Sequence, residues 1–211
     1  IRQVMAEREL IVSSGTVNTA RLLQVSGVGS AEFLASLGVD VVHELKGVGE
    51  NFQDHFSVRV VAKVKNSLTI NELARGPRLI GQFARWATGQ PNILAIVPSL
   101  IHIFAKSNET LDLPDLQGVF APASFKAGYV GVLDDYPGMT CGFWPHRPES
   151  VGYIRAKSTN PDEYPEIRAN YISAERDRRV LLAGMRLARR LLRAAPLAQY
   201  YDLETMPGDD V

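Results

Sequence analysis

The sequence predicts an α+β protein: an antiparallel sheet backed by helices, preceded by a small α/β segment at the N-terminus. Three observations carry this prediction. Residues 56–65 alternate apolar and polar side chains, the period of a strand that is wet on one side. Residues 174–195 carry an apolar stripe at helical spacing, formed by Val180, Leu181, Gly184, Leu187, Ala188, Leu191 and Leu192. Residues 1–50 instead read strand, helix, helix, strand, the order of an α/β edge. With 211 residues, 45% of them hydrophobic and 22% charged, the chain can bury a substantial core, as one large domain or as a domain plus part of another.

In chain order, residues 9–12 read as a short buried strand, stopped by Ser13, Ser14 and Gly15. From Thr19 the apolar positions Leu22, Leu23 and Val25 fit a short helix. Gly27 is placed to end it by adopting the left-handed dihedrals of a C-terminal cap. Ser30 is the N-cap of a second short helix over 31–37, closed by Gly38, and the β-branched residues of 39–45 mark a strand. Past Gly47-Val48-Gly49 comes the alternating strand, with Phe56, Val58, Val60, Ala62 and Val64 on one face and Ser57, Arg59, Lys63 and Lys65 on the other. A helix over 77–88 begins at Pro77, which tolerates a first turn, and aligns Leu79, Ile80, Phe83 and Trp86 or Ala87 in a stripe. Residues 94–105, 116–125, 140–144 and 152–158 are further strands, separated by turn-forming stretches such as 107–115 and 133–138. The last helix takes Ser173 as N-cap, places Glu175 and Asp177 near its positive end, and stops before Pro196. The division falls at 50/51, giving domains 1–50 and 51–211.

Charge and composition narrow the partners. With 23 basic and 23 acidic side chains the whole chain is not marked for nucleic acid or an anionic surface, so any partner must be recognised locally. The arginines of the last helix lie largely off its apolar stripe with no aromatics between them, which makes them a solvated face; no nucleic-acid partner is expected. The longest apolar stretch, 93–105, contains Pro98 and His102 and falls short of the roughly 20 residues of a membrane span. The single cysteine, Cys141, leaves no intrachain disulfide and fits a reducing, cytoplasmic compartment. The opening Ile1-Arg2-Gln3 is neither an initiator methionine nor a signal peptide, so a fragment is expected. The oligomeric state is not legible.

Four histidines are present, His43, His55, His102 and His146, none at metal-ligand spacing, and no metal site is expected. His102 alternates with apolar neighbours, the pattern of a satisfied sheet histidine. His55 and His146 stand beside turn-forming residues and are better placed for function. The run Val12-Ser13-Ser14-Gly15-Thr16 lacks the first glycine of a hydrolase elbow. Gly27-Val28-Gly29 and Gly47-Val48-Gly49 each lack the third glycine of a dinucleotide fingerprint.

Residues 9–55 taken together nevertheless resemble, position by position, a segment of the glucose-methanol-choline (GMC) family of flavin-dependent oxidoreductases. The likeness includes Ser13-x-Gly15, Leu22-Leu23-x-x-Ser26-Gly27-x-Gly29, Ala31-Glu32-x-Leu34-x-x-Leu37-Gly38 and Gly47-Val48-Gly49-x-Asn51-x-Gln53-Asp54-His55. Residues 147–173 resemble the family's segment near the start of its C-terminal region. The chain departs from the family at Thr19-Ala20, where Ser-Pro is usual, at Ser30, often Pro, and at Phe52, usually Leu.

The resemblance implies a choline-dehydrogenase-like enzyme that oxidises a small-molecule alcohol, with FAD accepting hydride at flavin N5 while a histidine takes the hydroxyl proton. It implies that residues 1–50 close the FAD-binding domain, that Ser14 and Gly15 contact FAD, and that 51–211 form the substrate-binding domain and a pocket wall. Phe143 and Trp144 are the candidate pocket aromatics. The family's glycine-rich FAD fingerprint and its His-Pro catalytic segment do not occur in this sequence. No catalytic residue is therefore assigned, and the chain by itself is expected neither to retain FAD nor to turn over. Two further readings stay open: a non-catalytic binding or structural domain derived from the family, and an FAD-holding enzyme similar to hydroxynitrile lyases.

Overall fold

The structure, a computed structural model, describes residues 5–97, 99–129 and 131–208. Helix α1 (Gly15–Val25), β1 (Val28–Gly29), α2 (Ala31–Ser36) and β2 (His43–Glu44) come first. Strand β3 (Val58–Val64) leads into α3 (Ile70–Leu73), α4 (Gly76–Ala87), a short 3-10 turn (Ile93–Ala95), β4 (Ile101–Ala105), β5 (Leu116–Ala121) and β6 (Gly138–Pro145). Then follow β7 (Tyr153–Arg155), β8 (Glu166–Arg168), α5 (Glu175–Leu192), α6 (Ala195–Ala198) and β9 (Tyr201–Met206). Packing groups these into two units: the chain up to Asp54 with Glu149–Ser173, and His55–Pro148 with the chain from Ala174 onward.

In the first unit β1 and β2 pair in parallel, Val28 opposite His43 and Gly29 opposite Glu44. Gly27 makes this possible. At φ +84° it turns the chain out of α1, and a Cβ there would stand 2.5 Å from the Asp40 carbonyl oxygen. Its own carbonyl accepts from the N–H groups of Val42 and His43 at 2.9 and 3.1 Å. The later segment is stitched in by Gln24, whose side chain is buried at 1% exposure. Its amide donates to the Ile154 carbonyl (3.0 Å) and the Val48 carbonyl (3.3 Å), and its oxygen accepts from the Ala156 N–H (2.8 Å). A side-chain amide thus replaces a neighbouring strand beside β7. Gly49 must be bare for the same reason, since a Cβ would lie 2.2 Å from the Ile154 oxygen. Phe52 and Gly152 exchange both backbone hydrogen bonds, and β7 pairs antiparallel with β8. Residues 149–173, placed with the sheet in the 1–50/51–211 division, therefore pack with the N-terminal segment.

The expected strand at 9–12 is not formed: these residues have no regular structure, and Leu10 and Ile11 are exposed. A strand requires a neighbour to take its backbone hydrogen bonds, and no described residue pairs with this one. The expected strand over 39–45 contracts to β2 for the same reason, because β1 offers only two residues of edge.

The second unit is built on a five-stranded sheet in the order β4-β5-β6-β3-β9, every neighbouring pair antiparallel. Val60, Ala62 and Val64 line one face, as the alternation requires, with Met139, Cys141, Phe143 and Leu116 beside them. Helix α5 lays Val180, Ala188 and Leu192 onto this face. Phe143 is fully buried between two glycines: a Cβ at Gly118 would stand 2.5 Å from its ring, and one at Gly184 of α5 would stand 2.8 Å from its Cβ. Ala174, not Ser173, is the N-cap of α5, and the helix has ended at Arg193 before Pro196, which sits inside α6.

Several elements have no counterpart in the sequence reading, β1, α3, β8, α6 and β9 among them. Helix α3 is set by a capping box, Thr69 with Glu72, and its buried Asn71 binds both backbone and side chain of Ser124. Strand β8 is a three-residue partner of β7. Strand β9 is anchored by Glu204, whose fully buried carboxylate receives the Arg189 guanidinium of α5 at 2.8–3.1 Å. The expected strand over 94–105 is also shorter: Asn92 accepts from the N–H groups of Leu94 and Ala95 and winds a 3-10 turn first, leaving β4 at 101–105. Pro98, within that expected strand, lies outside the described residues.

Candidate functional site

In the first unit, Ser14 and Gly15 stand at the N-terminus of α1. Ser14 is the N-cap residue, yet its side chain makes no capping hydrogen bond, and the first turn contains no acidic residue. Gly15, at φ +79°, is exposed, and a Cβ there would meet nothing within 4 Å. The leading amide groups of a helix lack intrahelical acceptors and carry the positive end of its dipole. The corner has open space at the Gly15 Cβ position and no acidic side chain in the first turn of α1, the features that suit an anionic group at a helix N-terminus.

In the second unit the sheet has two unlike faces. Opposite the buried face, register places Arg59, Gly142, Val119 and His102 in one row, and Trp144, Gln117 and Phe104 in the next. Arg59, His102 and Phe104 are exposed and Trp144, Gln117 and Val119 half-buried. Gly142 keeps the first row low: a Cβ there would meet the Arg59 Cγ at 3.3 Å.

Gln117 organises the second row. Its side-chain oxygen accepts from the Trp144 indole N–H at 3.2 Å and lies 3.0 Å from His146 Nδ1, which donates when that nitrogen carries the proton. His55 Nε2 stands 3.0 Å from the His146 carbonyl oxygen, and the His55 ring lies 5.8 Å from Trp144 and 6.4 Å from His146 by centroid. Phe104 meets His146 edge-on at 5.7 Å. The two histidines favoured by sequence are thus brought together, each with a ring nitrogen engaged by protein. His102 stands apart, one row away.

The candidate aromatics separate. Phe143 is a core residue facing α5, which removes it from any pocket, while its neighbour Trp144 projects to the open face, as strand alternation demands. Gln117 and Arg59 were not singled out from sequence, because only the cross-strand register shows which residue each lies beside. Cys141 is fully buried, and burial pushes its thiol up to about 12, so it remains a neutral core side chain. Among the described residues no cluster of three His, Cys, Asp or Glu could hold a metal ion, and no helix is long and apolar enough to cross a membrane.

This architecture, an antiparallel sheet with one helix-packed face, is shared with solved flavoenzymes. Formate oxidase matches over 97% of this chain and 41% of its own, with a TM-score of 0.84 at 20% identity. A structure concerned with FAD modification in the Aspergillus oryzae RIB40 formate oxidase has the same coverage, TM-score and identity. In sequence, the oxygen-dependent choline dehydrogenase of Photobacterium profundum is 32% identical over 100% of this chain and 37% of its own length. That of Pseudomonas fluorescens is 34% identical over 99% of this chain and 37% of its own. The GMC oxidoreductase family model matches residues 1–57 with its N-terminal part and 148–210 with its C-terminal part. The chain belongs to the GMC oxidoreductase family, and it spans a little over a third of the length of these curated relatives.

Proposed function

We propose that this chain is part of an FAD-dependent oxidoreductase acting on a small alcohol, of choline-dehydrogenase-like type. Its first unit belongs to the cofactor-binding half, where Ser14 and Gly15 contact FAD. The second unit belongs to the substrate-binding half, and the open face of its sheet forms a wall of the alcohol pocket. The observation that carries this reading is the asymmetry of the sheet: one face is sealed by α5, while the other, with buried side chains along Val61, Thr140 and Ala121, holds beyond them an aromatic and polar row fixed by hydrogen bonds. The choline dehydrogenase relatives support the alcohol assignment.

FAD, when bound, supplies the acceptor for the hydride of the carbinol carbon. The chain's own residues would bind and orient. Trp144, locked by Gln117, and Phe104 present rigid apolar surface to the carbon skeleton and keep water from it. Arg59 and His102 supply hydrogen-bond donors in the adjacent row. The leading N–H groups of α1, behind Gly15, would donate to acceptor oxygens of the cofactor.

Kinetics of the full-length enzyme test the assignment. Trp144→Ala and His102→Ala should raise KM for the alcohol about tenfold, as expected for lost ground-state contacts, while leaving flavin content unchanged. Gly15→Asp should lower flavin content through charge and through backbone strain at positive φ. Wall variants with unaltered kinetics, or a Gly15→Asp enzyme that keeps its flavin, would show the roles to be misassigned.

A further inference from the structure

The hydrogen bonds around Gln117 fix more than the place of Trp144. An indole N–H can only donate, so the Trp144 contact at 3.2 Å requires the oxygen of the Gln117 amide, Oε1, to point at it. The same oxygen lies 3.0 Å from His146 Nδ1. An amide oxygen only accepts, so two lone pairs would face each other at that distance unless Nδ1 carries the proton. In neutral His146 the lone pair then falls to Nε2. His55 takes the opposite form. Its Nε2 stands 3.0 Å from the His146 carbonyl oxygen, which also only accepts, so the His55 proton is on Nε2.

His146 has little freedom to turn away from this arrangement. Its backbone N–H donates to the Asp115 carbonyl at 2.8 Å, directly beyond the Leu116–Pro145 pair that ends the β5–β6 ladder. Phe104 packs edge-on to the ring at 5.7 Å. The residue borders a cavity of about 430 Å³ whose lining includes Phe104, Asp115, Arg147 and Arg176. A carboxylate facing Nε2 would call for the proton there and select the other tautomer. The oxygens of Asp115, the carboxylate of that lining, are instead engaged by Ser107, through its backbone N–H at 2.7 Å and its hydroxyl at 2.6 Å. Among the described residues Nε2 has no hydrogen-bond partner, and no buried side-chain nitrogen is left without one, so Nε2 is accessible.

We infer that Gln117 is a positioning residue for alcohol binding: oriented by Trp144, it keeps His146 in the Nδ1–H tautomer, so that Nε2 is a standing hydrogen-bond acceptor for the hydroxyl of the alcohol. The tautomer stands on geometry alone, while naming the hydroxyl as donor rests on the alcohol-oxidising reading above. An alcohol O–H can donate to Nε2, whereas the carbonyl oxygen of the oxidised product cannot. This corner therefore favours substrate over product.

Nitrogen NMR of the full-length protein, isotope-labelled at histidine, reads the tautomer directly, and His146→Phe identifies the signals of His146. In alkaline buffer, above the ordinary histidine range, the protein should show His146 protonated at Nδ1 and bare at Nε2, with His55 reversed. Gln117→Glu, which keeps an acceptor oxygen, should preserve this pattern. Gln117→Leu should return His146 toward the Nε2–H form that free histidine prefers and leave His55 as it is. Kinetics give the second readout: Gln117→Leu and His146→Phe should each raise KM for the alcohol about fivefold, the scale of one lost neutral hydrogen bond, with flavin content unchanged. Were Gln117→Leu to unfold, the unaltered protein and Gln117→Glu still decide the tautomer, and His146→Phe the kinetics. An Nε2–H tautomer at His146 in the unaltered protein overturns the inference. So does a KM that rises in Gln117→Leu but not in His146→Phe, which would trace the effect to a loosened Trp144. A full-length protein without flavin would overturn the alcohol reading, and with it the hydroxyl as donor, while the NMR still decides the tautomer.

Discussion

Single side chains do work in this fold that their sequence context does not announce. Gln24 sits in a helix whose apolar spacing draws attention to its neighbours, yet its amide makes three hydrogen bonds to backbone more than twenty residues away. Replacing it with leucine strands the Ala156 N–H and the Ile154 carbonyl, and should cost about 2–3 kcal/mol in urea unfolding of the first unit. Cys141 should resist alkylation in the folded protein and react on unfolding, because its thiol is pushed up to about 12 by burial. Asp135 is held below its ordinary value of 3.8 by hydrogen bonding to Lys126 and its charge, and then by Arg75. Its folded value is depressed, so the stability it adds is present above that ordinary value and lost as pH falls through the folded one. The group is fully exposed, so Asp135→Asn should lower the melting temperature only slightly near neutral pH, and the difference should vanish in acid.

At the level of elements, the sequence was most legible where one face meets a core. The stripe of α5 and the alternation of β3 both survive in the structure, because burial against the same sheet imposes both periods. Elements defined by partners were not legible. Strand β9 reads as a mixed run whose glutamate argues for solvent, and the arginines of α5 and its end, Arg189 at 2.8 Å and Arg193 at 3.5 Å, explain a buried Glu204. Glu204→Ala should destabilise the protein by roughly 3 kcal/mol, somewhat relieved because Arg189 can turn to water. Helix α4 teaches the converse, since its stripe was evident in the sequence but the side it faces was not. Gly184 is a sharper test of α5 docking. A Cβ there meets Phe143 at 2.8 Å, so Gly184→Ala should push the helix off the sheet and cost about 1–3 kcal/mol by thermal or urea melts.

For the whole molecule, the two segments that resemble the GMC family, 9–55 and 147–173, meet in one structural unit, apart from their ends at His55, Arg147 and Pro148. Local sequence could not show this. The pairing runs through Gln24, Gly49 and the Phe52–Gly152 bridge, which join residues about a hundred positions apart. The candidate wall was half legible: Trp144, His55 and His146 carried chemistry by residue type, but the register of β5 against β6 was needed to place Gln117 between two of them. The most direct measurement is the visible spectrum of the full-length protein titrated anaerobically with small alcohols, choline among them. The protein as purified should show a bound-flavin spectrum that bleaches on adding an alcohol. A full-length protein without flavin, or with a flavin that no alcohol reduces, would contradict it.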